Sequence, residues 1–208
     1  MAWFGGNGLN QRRGRPRLSA MSNALRKAVD LGDYLAAEES AAVRHEYLGG
    51  HVYAMTGGTL RHNRIAGNIY ARLLQALAGT PCQVFINDVK LHVRETDSVY
   101  YPDVLVHCGG GPAGDVKLLT DAALIVEVLS ESTAQTDRRE KRAAYQHLPG
   151  LRAYWIISQD EQRAELHLRD VDGGWGTRLC SADERLPAPG LLAADLPLAA
   201  AYTGTDLA

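Results

Sequence analysis

Two carboxylates stand where carboxylates are costly to place. Asp103 follows Pro102 inside the strand-like run Val99–His107, and Glu127 interrupts the otherwise apolar run Ala122–Leu129. Burying such a group unpaired costs on the order of several kcal/mol, so something must compensate it. A divalent cation does so efficiently. Hard oxygen ligands suit magnesium, which one or two carboxylates commonly hold with water and substrate phosphate. The competing reading for either residue alone is a strand-end carboxylate that faces solvent or pairs with an arginine. On neighbouring strands together, the two favour a metal.

Basic chemistry has few candidates. Of the 22 lysines and arginines only Lys27, Lys90, Lys117 and Lys141 are lysines. Lys141 lies four residues after Asp137 and four before Tyr145, so the three share one face of a helix. An exposed Asp137–Lys141 pair is the plainer alternative, worth about a few tenths of a kcal/mol. Lys90 lies on a strand two residues after Asp88 and competes for the same role if that strand borders the site. His62 opens a long helix, where its ring could reach a phosphate or a water.

Several elements must position these groups. Leu35, Ala36 and Ala37 suggest a short helix, and His45–Met55 reads as a hairpin turning at Gly49-Gly50. Thr59 opens a helix whose Ile65, Ile69, Leu73, Leu74 and Leu77 recur at helical spacing until Gly79-Thr80-Pro81 stops it. Strands follow at Cys82–Ile86, Val89–Val93 and Val99–His107. The Ala122–Leu129 run has the composition of a strand covered on both faces. Ser130–Thr133 offers caps for a helix over Ala134–His147, which Leu148-Pro149-Gly150 ends. Arg152–Ser158 is a further buried-type strand, and Arg163–Leu168 begins a hairpin turning at Gly173-Gly174-Trp175. This order predicts an α/β fold of the α+β kind, a central mixed sheet flanked by helices. The domain is expected over 24–200, between a disordered or over-extended arm (1–23) and a tail (201–208).

Composition bounds the function. The formal net charge is −2, so no global basic field draws nucleic acid, although a local patch is compatible with it. Cys82, Cys108 and Cys180 form no CxxC pair, which argues against a disulfide framework or a zinc site and fits a reducing cytoplasm. No stretch has the apolar length of a membrane span, and the first residues lack a secretory h-region. Within the arm, Arg-Gly-Arg-Pro (residues 13–16) has the form of an AT-hook core; a chance match is the better explanation of so short a stretch.

Longer patterns carry a resemblance. Pro102-Asp103-Val104, Ile125–Ser130, Ser132-Thr133 with Asp137 and Lys141, and Tyr154-Trp155-Ile156 resemble the Uma-two family of restriction-endonuclease-like proteins. His45–Gly50 and His62 resemble it too, and the likeness runs from about residue 30 to about 170. It implies a PD-(D/E)XK nuclease core in which Asp103 and Glu127 bind Mg2+ or Mn2+, with Glu46 completing the metal shell or acting as base. The superfamily's lysine, two residues after the glutamate, is replaced here by Leu129. Lys141 is then the migrated lysine, and Tyr145, His62 and Lys90 are candidate substrate contacts. DNA is the implied substrate and a homodimer the implied assembly, and no protein partner is identifiable. The alternatives are a nuclease fold with reduced chemistry serving as a binding module, and a structural or oligomerisation protein.

Overall fold

The computed structural model describes residues 28–110, 114–130 and 136–208. The arm over 1–23, with its AT-hook-like stretch, lies outside them. Helix α1 (Leu31–Glu38) is capped by Asp30, whose carboxylate accepts from the Gly32 N–H at 2.7 Å. Strands β1 (His45–Leu48) and β2 (His51–Ala54) form the expected hairpin. Its turn needs glycine: Gly49 and Gly50 have φ of +49° and +90°, and a Cβ on Gly50 would sit 2.6 Å from the Ala28 side chain. Helix α2 (Leu60–Ala76) begins at its Thr59 cap and buries Ile65, Ile69 and Leu73 as its spacing predicts.

Eleven further strands follow among the described residues. They are β3 (Cys82–Ile86), β4 (Lys90–Val93), β5 (Ser98–Tyr100), β6 (Val104–Cys108), β7 (Leu118–Leu119) and β8 (Leu124–Leu129), then β9 (Ala153–Ser158), β10 (Arg163–Arg169), β11 (Trp175–Ser181), β12 (Arg185–Leu186) and β13 (Leu196–Pro197). Between β8 and β9 the chain winds through a π-helical turn, Asp137–Lys141, into helix α3 (Arg142–Tyr145). Over its described part, the Ala134–His147 expectation is met by this π-helical turn and helix α3.

The fold class is the mixed α+β one expected, but the sheet is split. One sheet runs β2-β1-β5-β4-β7 and the other β11-β10-β9-β8-β6-β3, with β12 and β13 paired separately. The single strand expected over Val99–His107 is therefore two strands in two sheets. Tyr101-Pro102-Asp103 is the crossing, and proline, with no N–H to give a ladder, marks the break. Within the larger sheet β8 is central, antiparallel to β6 and parallel to β9.

Each face of β8 feeds a different core. Val126 and Val128 pack with Ile65, Leu73, Trp155 and Tyr202 beneath α2. Ile125 and Leu129 pack on the other side with Tyr100, Leu105, Tyr145 and Tyr154, joining the two sheets. Strand alternation puts Glu127 on this second face. Tyr202 is fully buried, so core packing extends past residue 200.

The cysteine expectation is corrected. Cys82 and Cys108 are cross-strand partners at the β3–β6 ladder end and form a disulfide, leaving Cys180 free and buried. Their distance in sequence hid a pairing that antiparallel register creates. Among the described residues no helix is long and apolar enough to cross a membrane.

Trp155 is fully buried in the first core, with its indole N–H donating to the Pro187 carbonyl at 3.0 Å. Trp155→Ala should cost about 3–5 kcal/mol, read as a lower denaturation midpoint at unchanged m-value. A loss under about 1 kcal/mol would contradict this packing.

Candidate active site

The second core contains one charged cluster. Lys141 Nζ lies 2.9 Å from Glu46 Oε1, 3.2 Å from Asp137 Oδ1 and 3.3 Å from Glu127 Oε1. Three separate elements converge there: Glu46 from the hairpin of the smaller sheet, Glu127 from β8, and Asp137 and Lys141 from the π-helical turn. Asp137 and Lys141 are both buried, so their pair is not the exposed helix contact the sequence also allowed. The Tyr145 hydroxyl donates to Glu127 Oε1 at 2.9 Å, and the Tyr154 hydroxyl donates to the Asp137 carbonyl at 3.1 Å. The aromatic floor thus holds both the acid and the turn opposite it.

Asp103 sits at the edge of this cluster, where the β6–β8 ladder stops. Its Oδ2 accepts from the Val128 N–H at 2.8 Å and lies 3.3 Å from His62 Nε2. The sheet break and the start of α2 therefore place Asp103 and His62 together. No arginine pairs with these acids among the described residues. Arg44 pairs with Asp88, and Arg61 with Asp160 and Asp206. Lys90 is not brought in. It is buried with its Nζ 5.8 Å from the centre of the Tyr101 ring, and no ion pair joins it to the cluster.

Electrostatics follows from burial and charge count. Burial pushes Glu127 well above the usual carboxylate range, and Asp137, Asp103 and Glu46 add to this against the opposing pull of Lys141. Burial would lower Lys141, but the carboxylates of Glu127, Glu46 and Asp137 outweigh it and hold the ammonium well above its ordinary value. Burial and the Glu127 charge also raise Tyr145, keeping its phenol protonated as a donor. At His62 the lowering by burial is outweighed by the hydrogen bond and charge of Asp103, so the imidazole is raised.

Whether the residues suit a divalent cation can be judged from the donors themselves. Three carboxyl groups face one ammonium, so two anions still oppose one cation when Glu127 keeps its proton. Glu46 Oε1 and Asp137 Oδ1 are buried and accept no hydrogen bond; they meet Lys141 as ion pairs only. Hard, anionic, under-satisfied oxygens are the donor set that magnesium or manganese takes. They fit in kind. Among the described residues no three His, Cys, Asp or Glu side chains converge as a ready-made cage.

Residues 31–201 match the Uma2 family, described as "Putative restriction endonuclease". The chain belongs to the Uma2 family. It is 33% identical over 154 residues to one uncharacterized protein of Synechocystis sp., covering 74% of this chain and 81% of that one. A second uncharacterized Synechocystis protein is 30% identical over 154 residues, covering 73% and 87%. A crystal structure from Anabaena variabilis, titled as a putative nuclease belonging to DUF820, superposes with a TM-score of 0.70. That match covers 84% of this chain and 97% of the other at 16% identity, and it establishes a shared fold.

Within this Uma2 fold, the missing lysine after the glutamate has a physical reason. Position 129 lies on the same face of β8 as Glu127, but Leu129 is buried in the second core. The ammonium beside Glu127 is that of Lys141, on the π-helical turn. The sequence marks Asp137 by its helical spacing to Lys141 and Tyr154 only within the Tyr154-Trp155-Ile156 pattern, and it gives no sign of Glu140. The Tyr100 hydroxyl lies 3.5 Å from Glu140 Oε1, whose carboxyl is raised by burial and by Glu46.

A pH prediction follows for the metal-free protein. Because the folded-state value of Glu127 lies above the unfolded one, its proton-linked stability is full below the ordinary value of 4.5 and is lost as pH rises through the folded value. Metal-free stability should therefore fall over that interval, and Glu127→Gln should flatten the dependence and melt no lower than wild type at pH 7. A variant melting well below wild type in EDTA at pH 7 would contradict this.

Proposed function

We propose that this chain is a divalent-metal-dependent nuclease that hydrolyses phosphodiester bonds in DNA. The observation that carries the reading is the buried Glu46–Glu127–Asp137 cluster around Lys141, with Asp103 at its edge, in a chain of the Uma2 family. Its acids outnumber its single ammonium, and a divalent cation would take up the difference.

Asp103, Glu127 and Glu46 are the residues we assign to hold Mg2+ or Mn2+. Such an ion, when bound, polarises the phosphate and acidifies a water. Lys141 keeps its charge through the pH range of the reaction and offsets negative charge gathering on the phosphate. Tyr145 fixes the orientation of Glu127 by donating to it. His62, held by Asp103, is the side chain we assign to contact the substrate phosphate. Lys90 has no part in this assignment. A homodimer completes the proposal; the cytoplasmic location expected from the cysteines loses that support, because Cys82 and Cys108 are paired.

One observation favours a second reading. Lys141 is already engaged by three carboxylates, as it would be in a nuclease fold that has lost its chemistry and only binds DNA. Cleavage decides between the two. With Mg2+ or Mn2+, wild type should cut circular, linear or single-stranded DNA, EDTA should stop it, and Asp103→Asn should lower kcat by at least about a hundredfold while keeping an acceptor for Val128. Folded, metal-binding protein that cuts none of these substrates would move the conclusion to the binding module.

A further inference from the structure

The hairpin that delivers Glu46 also delivers an aromatic ring. Tyr53 is the direct cross-strand partner of Glu46, so the two side chains leave the sheet on the same face. Among the described residues, strand β2 is the sheet edge, with no neighbour beyond it.

This ring stands apart from the other tyrosines. Of nine in the chain, seven are buried, and each of those donates its hydroxyl to a protein acceptor. Tyr53 is 53% exposed and, among the described residues, its side chain has no hydrogen bond or ring contact. Scattered exposed apolar side chains are ordinary. What distinguishes this one is its place beside a carboxylate of the buried cluster.

The surroundings select the occupant. Glu46, Glu127, Asp137 and Glu140 make this part of the molecule acidic, so it offers a nucleic-acid backbone little electrostatic attraction, and the net charge of −2 supplies none from afar. An exposed ring offers a neutral face instead. Nucleobases stack on such faces without regard to sequence. Inside a duplex each base face is covered by its neighbours, and only an unpaired base presents one.

We propose that Tyr53 is a stacking platform for an unpaired nucleobase next to the scissile phosphate, making single-stranded or branched DNA the preferred substrate. The assignment rests on the nuclease reading above for the identity of the neighbouring phosphate, and it deepens that reading by naming the substrate class.

The test uses the full chain with calcium in place of magnesium, and an oligonucleotide carrying one 2-aminopurine, single-stranded or annealed to its complement. Wild type should bind the single strand more tightly and quench its fluorescence on binding. Tyr53→Ala should weaken single-strand binding about tenfold, about 1.4 kcal/mol, and abolish the quenching. Tyr53→Trp should retain both, and duplex binding should change little in either variant. Wild-type affinity for the single strand in Tyr53→Ala, an equal loss for both DNA forms, or no wild-type binding to the single strand would overturn the proposal. Cleavage separates it from the broader reading. If wild type cuts DNA and Tyr53→Ala cuts with unchanged KM, the platform falls and the nuclease stands. If Tyr53→Ala loses single-strand binding while wild type cuts nothing, the platform stands and the nuclease falls.

Discussion

An ammonium group buried among three carboxylates is the constraint around which the second core is arranged. Lys141 cannot be removed from water without anionic partners, and Glu46, Glu127 and Asp137 cannot be buried together without a cation. Each side of the cluster makes the other tolerable, yet the balance is uneven, and the surplus negative charge is what a divalent ion would take up. The tyrosines beneath it serve the same end. Tyr145 holds Glu127, Tyr154 holds the turn bearing Asp137, and Tyr100 packs edge-on to Tyr145 at a centroid distance of 5.3 Å.

Splitting the sheet is what allows the cluster to form. Had Val99–His107 continued as one strand, the hairpin bearing Glu46 would extend the same sheet as β8 and could not fold over its second face. The break at Tyr101-Pro102-Asp103 turns the smaller sheet across the larger one and leaves Asp103 at the seam. There Asp103 accepts from the Val128 N–H that β6 no longer reaches. A residue that would be a strand-end cap in another protein stands here between the sheet junction and His62.

Much of this was legible in sequence where a single physical rule applied. The Thr59 cap and the Ile65–Leu73 spacing announced α2, Gly49-Gly50 announced the hairpin, and the charge in Ala122–Leu129 announced Glu127. The strand break was less legible, because Val99-Tyr100 and Val104-Leu105 are equally apolar and only Pro102 separates them. Lys90 and Lys141 were both plausible from their neighbours, and only the three-dimensional path of the chain puts one at Tyr101 and the other among the acids. The Cys82–Cys108 disulfide was invisible for a similar reason. Register, not local sequence, makes those two residues opposite.

Metal binding coupled to proton release tests the central claim most directly. Titrating Mn2+ calorimetrically into metal-free protein near pH 6, in two buffers of different ionisation enthalpy, measures both at once. Saturable binding with net proton release, lost in Glu127→Gln, is the result predicted by a buried carboxylate whose proton is held above the ordinary range. Absence of saturable binding, or binding in which Glu127→Gln behaves as wild type, would contradict the account.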